Sequence, residues 1–568
     1  MGSSTRRYVR RATAAVLASL ALGAAGLVGA CSALIEHADS ECSTDRDCEW
    51  RFPGTRCVQG GCSSVYVEAG LGDLGNLADL TCTSTQECLA VHGPNWICSP
   101  STSSCVSLTS TDCSQVVGQY TAEDVVLVGA LLPLTGPHQS TGLAIQQGVR
   151  LAVGDLLPGL PPLGDGGLPR ALAVVFCDES DNLQRAANHL TNELGAQIIL
   201  GTGESASTRT IATSVTSTGG EFLISPRATA DLSAFAGTGL VWRTCPGDGL
   251  EAAAISDLVQ GIVAPALQAQ YGLARVKVAV VHAVDVESTD IDARIVAAFG
   301  AGNADAGDAG IPLSWVDVNY GDPDDPNIGA KYTTAIGQTL ASAPDLIVLV
   351  GETQAVTNVL SGIEMAWSSL AGNPRRPRYV LSSATETTEL LALATSNADL
   401  RGRILGTAPG ANPNDYLDLR QFMIAYQTTF GAGSSPEIFG VAQAYDAVYV
   451  IAYAAAAVSK ANLVGSDVTA ALRRILSADA GAPVVIDVGP DGVSTAFGAI
   501  QAGRSIALNG ASAPLAFDPQ RGDLATDVQV WCIAPRGGDG GMAFVSSGAT
   551  YYAASRTLDG SVGAPCGP

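Results

Sequence analysis

Lysine is nearly missing from this chain of 568 residues: Lys277, Lys331 and Lys460 are the only three. With 54 acids against 30 bases the formal net charge is −24, and no cluster of Lys and Arg interrupts it. Binding to nucleic acid needs such a cluster to neutralise phosphates, so a nucleic-acid partner is excluded. Histidine is scarce as well. His37, His92, His138, His189 and His282 stand far apart, and no G-x-S-x-G elbow occurs. Nucleophilic hydrolysis therefore has no visible machinery, and no catalytic residue is assigned. Neither C-x2-C nor paired His is present for zinc. Asp322, Asp324 and Asp325 lack the spacing of a calcium loop. No metal site and no cofactor are expected. Beyond residue 30, no segment reads as long and apolar enough to cross a membrane.

What is present begins with a leader. Arg6, Arg7, Arg10 and Arg11 precede an apolar run from Ala14 to Ala30, which stops at Cys31 within Val28-Gly29-Ala30-Cys31. This resembles a bacterial lipoprotein signal with its lipobox. Small residues before the Cys admit the peptidase, and Cys31 becomes the acylated first residue that anchors the chain in membrane lipid. The competing reading is an uncleaved membrane helix. Cleavage after residue 30 removes four Arg and no acid, taking the net charge from −24 to −28. An acidic surface of this kind suits solubility outside the cytoplasm. Ser32 after the Cys favours the outer membrane of the cell envelope, facing the periplasm or the cell surface.

Residues 31–122 form a cysteine-rich neck. Cys42, Cys48, Cys57 and Cys62 make one set, and Cys82, Cys88, Cys98 and Cys105 make another of similar spacing. Each set sits among Asp, Ser, Thr and Gly with too few apolar residues for a core, so disulfides in an oxidising compartment are expected to hold it. Three pairings are open within each set. Five further cysteines remain, Cys113, Cys177, Cys245, Cys532 and Cys566, so at least one thiol is free or bonded outside the chain. Cys177 and Cys245 read as buried, inert thiols.

The body alternates strand and helix patterns over a length suited to two α/β lobes rather than one core. Strands are predicted at Val125–Leu132, Ala171–Cys177, Gln197–Leu200, Glu221–Ile224, Val276–His282, Asp345–Val350 and Arg378–Leu381, with helices between them. Ala-rich 441–458 reads as a packed helix whose Tyr445, Tyr449 and Tyr453 form a core stripe. Gly201-Thr202-Gly203-Glu204-Ser205-Ala206 mimics a dinucleotide fingerprint. The acid that should end the following strand is absent, because Glu221 begins one.

The order of segments is more specific. Leu131-Leu132-Pro133-Leu134-Thr135-Gly136-Pro137 comes first, then Phe176-Cys177-Asp178-Glu179-Ser180, Ile198-Ile199-Leu200-Gly201, and Phe222-Leu223-Ile224-Ser225-Pro226-Arg227-Ala228-Thr229 with Val241-Trp242-Arg243-Thr244. Much later comes Gly510-Ala511-Ser512-Ala513-Pro514-Leu515-Ala516-Phe517-Asp518. In this order the chain resembles the type I periplasmic binding protein family, in its leucine/isoleucine/valine-binding branch of ABC importer receptors. The resemblance implies two doubly wound Rossmann-like lobes joined by three hinge segments, behind a small disulfide-rich region. It implies a first lobe of 123–244 plus 411–498, a second of 245–410 plus 499–552, and a tail of 553–568. Pro246-Gly247 and Pro409-Gly410 suit the hinges.

It also implies a non-enzymatic receptor for a small polar ligand (an amino acid, amide or small acid), bound by lobe closure and passed to an ABC permease. Carried over residue by residue, the ligand carboxylate would meet Ser205 with Ala206, and Ala228 with Thr229. Capping the following helix is the alternative role of Ser205, and bracing a turn that of Thr229. Other positions depart from the pattern. Thr141 stands where an aromatic is often found, Val284-Asp285-Val286-Glu287-Ser288 replaces a second-lobe tyrosine segment, and Ser383, with Glu386 three residues on, stands where relatives bind the ammonium. Arg227 is read as a solvated surface residue, with a cleft-facing position as the alternative. The cysteine-rich neck and the eroded second-lobe positions also fit a non-transport envelope lipoprotein, a sensor or regulatory module on the same fold. The receptor role requires two hinged halves that clasp a solute, and halves fused rigidly or a gap plugged by side chains would end that reading.

Overall fold

A computed structural model describes residues 56–58, 61–63 and 81–566, the last with breaks at 123, 158, 164–168, 306–312, 324, 371, 373, 412–415, 478–481, 536–540 and 564–565. Cys31, Cys42 and Cys48 lie outside these residues. The described chain divides into two units, residues 1–98 and 99–568. In the first, Arg56–Val58 pairs antiparallel with Gly61–Ser63, with Cys57 opposite Cys62. Helix Thr85–His92 is capped by the Ser84 hydroxyl. Cys82 bonds to Cys98, and Cys88 is disulfide-bonded too. These two bridges do the work that a core cannot do in so short a segment.

The second unit holds two large sheets besides two small two-stranded ones, and the predicted strands fall in the large sheets with ends shifted by a residue or two. The first sheet runs Val241–Arg243, Phe222–Ser225, Ile198–Gly201, Val125–Leu132, Ala171–Asp178, Cys113–Gly118; all neighbours are parallel except the last. The second runs Leu313–Asn319, Val276–His282, Leu346–Val350, Arg378–Leu381, Ile404–Pro409, and then the antiparallel strands Val528–Pro535, Met542–Tyr552 and Thr557–Gly560. In each sheet the chain leaves its founding strand, Val125–Leu132 or Val276–His282, first to one side and then to the other. That reversal is the switch point at which open α/β sheets form a crevice. Strands such as Ala171–Asp178 are buried along their whole length, as continuous apolar runs in a parallel sheet must be.

Helix Val441–Ala456 is buried on every face from Val441 to Ala455, which its Ala-rich sequence permits. The tyrosine stripe is core, as expected. The Tyr445 and Tyr449 rings lie 5.0 Å apart, tilted by 45°, and their hydroxyls reach Asp155 Oδ2 at 2.5 and 3.3 Å. Helix Gln139–Asp155 packs so closely against it that a Cβ on Gly148 would lie 2.6 Å from the Val441 carbonyl oxygen. Glycine is needed there for close approach, not for its dihedral freedom.

Residues 499–524, expected in the second lobe, belong to the first. Ala499, Ile506, Leu508, Leu515 and Leu524 join the first lobe's core. Buried Asp446 accepts from Ala511 N, Ser512 N and Ser512 Oγ at 2.6, 2.9 and 2.6 Å. The three lobe-to-lobe crossings are therefore Thr244–Asp248, Pro409–Ala411 and Leu524–Val528. Cys113–Gly118, read as neck, is an edge strand of the first sheet, and the tail supplies Thr557–Gly560 to the second.

Three further expectations are corrected. Cys177 is not a free thiol but bonds Cys113, while Cys532 bonds Cys566; Cys245 is the free, buried cysteine among the described residues. Helix Asp248–Tyr271, 24 residues, is long and apolar enough to cross a membrane. Its Ile255, Leu258, Val259 and Val263 instead pack into the second lobe's core. Arg227 is buried, not a surface residue.

Candidate functional site

The two switch points face each other across the seam between the lobes. From the first lobe come Gly136–His138 after Val125–Leu132, Glu179 after Ala171–Asp178, and Gly203–Ser205 after Ile198–Gly201. From the second come Asp285 and Glu287 after Val276–His282, and Glu352 after Leu346–Val350. Several of these residues open helices, whose exposed N–H groups favour carboxylates there. Gly142 lets the first helix sit down on the Pro133 loop, since a Cβ would lie 2.0 Å from the Pro133 carbonyl oxygen.

Side chains close the seam, one of them on a backbone group: Arg227 Nη2 donates to the Ala384 carbonyl at 3.5 Å. Arg227 Nη1 donates to the Gly203 carbonyl at 2.9 Å and to Glu352 Oε1 at 3.0 Å. His138 places Nδ1 2.7 Å from Glu352 Oε2 and Nε2 3.3 Å from Glu204 Oε1. An imidazole with a carboxylate at each nitrogen is held as the imidazolium. Burial would depress its pKa, but Glu352 and then Glu204 override burial and lift it to about 9. Burial likewise works against ionised Glu352, yet His138 and Arg227 hold it well below the ordinary carboxylate range. Ser205 Oγ donates to Glu287 Oε2 at 2.8 Å and accepts from Ala230 N at 3.2 Å. Ser140 Oγ reaches Glu389 at 3.0 Å.

Charge in the seam is unbalanced. Glu179, Glu204, Asp285, Glu287, Asp322 and Glu352 line or adjoin it against Arg227 and His138. Burial, reinforced by Asp248, pushes the Glu287 carboxyl well above its usual range. Burial and then Glu204 do the same to Glu179, which accepts from Gly203 N at 3.2 Å. The space left between these groups is about 50 Å³, room for a water or two. Side chains plug the gap in this closed arrangement, which is the outcome set against a solute-clasping cleft, and a receptor role then depends on the lobes opening.

Of the expected ligand residues, Ser205 and Glu287 are brought together from opposite lobes, and Ala206 lines the same cavity. Ser205 does not present a neutral anion site, because Glu287 occupies its hydroxyl. Ala228 turns away, its N–H donating to Ser225 Oγ at 3.0 Å. Thr229 lies in a separate open groove of about 610 Å³ along the crossings, with Arg243 and Asp248. Its backbone carbonyl accepts from Arg243 Nη1 and Asp248 N, while its buried hydroxyl has no hydrogen-bond partner among the described residues. Thr141 is buried in its helix outside the cavity lining. Ser383 is spent on Glu251, with N and Oγ donating at 2.6 and 2.7 Å. Glu386 is buried in another small cavity, beside Gly410 and Trp531.

His138, Glu179, Glu204 and Glu352 were missed. A signal was available: each stands within a few residues of the C-terminal end of a strand beside a switch point.

No family profile matches the chain, and no curated protein matches it by sequence. Solved structures do resemble it. A leucine-binding protein LivK from Thermotoga maritima is 17% identical and covers 74% of this chain and 98% of its own, with a TM-score of 0.51. A solute-binding protein of an ABC transporter from Rhodopseudomonas palustris, in complex with 3,4-dihydroxybenzoic acid, is 17% identical over 78% and 99%, TM-score 0.53. The branched-chain amino acid transporter substrate-binding protein LivJ from Streptococcus pneumoniae, in complex with isoleucine, is 15% identical over 74% and 99%, TM-score 0.51. The likeness establishes the fold, that of the type I periplasmic binding proteins.

Proposed function

We propose that this chain is an extracytoplasmic solute-binding receptor, non-enzymatic, that closes its two lobes on a small polar molecule carrying an ammonium or guanidinium group. Anchoring through acylated Cys31 and delivery to an ABC permease complete the role. The observation that carries the ligand class is the surplus of carboxylates over Arg227 and His138 in the seam. A cation entering there offsets the burial and the like-charge neighbours that raise the Glu179 and Glu287 carboxyls above their usual range. A free small acid adds to it. Amino acids fit through their ammonium; small acids without a cation, part of the sequence-based expectation, fit worst.

Neither large sheet crosses the seam, so lobe opening breaks no sheet ladder among the described residues. Opening frees Ser205, Glu287 and Glu352 to meet a solute. Thermal-shift screening of the mature body against polyamines, basic and neutral amino acids, and small carboxylic acids tests the idea. Stabilisation by amine-bearing compounds, lost in Glu287→Gln with Glu352→Gln, supports it; stabilisation by small acids alone rejects it. The plugged gap favours a second reading, a sensor or regulatory module of the envelope whose lobes stay latched. A protein stabilised by none of these compounds, with unchanged scattering dimensions, would decide for that role.

A further inference from the structure

A second group of ligating side chains lies in the second lobe, apart from the residues that close the seam. His282 ends strand Val276–His282, Asp317 stands on the neighbouring strand Leu313–Asn319, and Asp292 lies on helix Val286–Asp305. His282 Nδ1 is 2.7 Å from the Ala283 carbonyl oxygen. A carbonyl only accepts, so Nδ1 carries the proton and Nε2 is the atom left to receive something else. This is how a carbonyl partner sets the tautomer of a metal-bound imidazole.

His282 Nε2 faces Asp317 Oδ1 at 3.1 Å and Asp292 Oδ2 at 3.7 Å. Two donors bound to one tetrahedral ion at ~2.0–2.1 Å stand about 3.3 Å apart, so the two distances bracket the value an ion between them would set. The three donor atoms all lie within 4.8 Å of one another. Asp292 supplies an independent sign. It is 7% exposed, its Oδ2 is beyond hydrogen-bond reach of the imidazole, and its Oδ1 has no hydrogen-bond partner. A buried carboxylate left in that state calls for a cation. Asp317 is half exposed, which gives an ion a way in and a water a fourth position.

We propose that His282 Nε2, Asp292 and Asp317 bind a divalent cation of the zinc class, tying helix Val286–Asp305 to the edge of the second sheet. One imidazole nitrogen and two carboxylates are a ligand set that zinc accepts, whereas magnesium and calcium prefer oxygen alone. The rival occupant is a proton on Nε2, which makes an imidazolium between two acids.

The test uses the mature protein stripped with a chelator and titrated with zinc chloride in a calorimeter, and with cobalt(II) for its visible spectrum. Wild type should take up zinc and show the intense bands of a four-coordinate cobalt site. Asp317→Ala, at a half-exposed position, and Asp292→Asn should each weaken binding at one site by more than the ~10–100-fold that losing an outer-shell partner costs. Each should also abolish the cobalt bands while leaving the metal-free melting temperature within a few degrees. Zinc also taken up at His138 would leave both variants one ion short of wild type, which still supports the site. No zinc uptake by wild type, or equal uptake in wild type and both variants, overturns it in favour of the proton.

Discussion

His138 offers the sharpest test of how the seam is held. Its ordinary value is 6.5, and between Glu352 and Glu204 it rises to about 9. That difference corresponds to about 3 kcal/mol of extra stability for the closed, folded form. Glu352 shares this energy, so it is counted once. Because the folded value is the higher one, the contribution is complete below pH 6.5 and is lost as pH rises through about 9. Buried Asp446 and Asp248, raised by desolvation to about 7 and about 8, also cost stability as pH rises, but mostly below pH 8. The perturbation is His138→Gln, which keeps a polar side chain and removes the charge. Urea unfolding at half-unit steps from pH 6 to 9.5 should show a wild-type advantage of up to about 3 kcal/mol at pH 6 that disappears by pH 9.5. Small-angle scattering should show wild type opening over the same range. Parallel pH profiles for the two proteins would refute the imidazolium latch.

Replacing Cys113 and Cys177 together by Ala removes a cross-link across 64 residues, and the chain-entropy relation puts the loss at about 4 kcal/mol, measured as a lower urea midpoint for the first lobe. Buried Glu364 accepts from Arg376 Nη1 at 2.6 Å, Arg403 Nη2 at 2.6 Å and Tyr379 Oη at 2.7 Å. Glu364→Ala leaves the largely buried Arg403 short of its main partner, so thermal unfolding should report a loss of ~3–5 kcal/mol in the second lobe.

The fold was legible because it depends on local pattern. Apolar runs such as Leu346–Val350 have no polar position and read as strands covered on both faces, and their alternation with helices selects a doubly wound sheet. The lobe boundary near residue 499 was misplaced for a physical reason. Asp446 reaches Ser512 from 66 residues away, and a buried carboxylate needing three donors is not visible as a spacing. The five cysteines beyond the lipidation site and the neck sets left at least one thiol free or bonded outside the chain, but only strand register puts Cys113 opposite Cys177, and Cys245 is the free one among the described residues.

By itself, then, the sequence determined the two-lobed plan, the cysteine-held neck and the strand ends where a crevice had to form, because periodicity and composition act within a few residues. The tertiary structure decided what fills that crevice. Ser205 and Glu287 are 82 residues apart and Arg227 and Glu352 are 125 apart. Whether such groups meet depends on the angle at which two separately folded sheets come together.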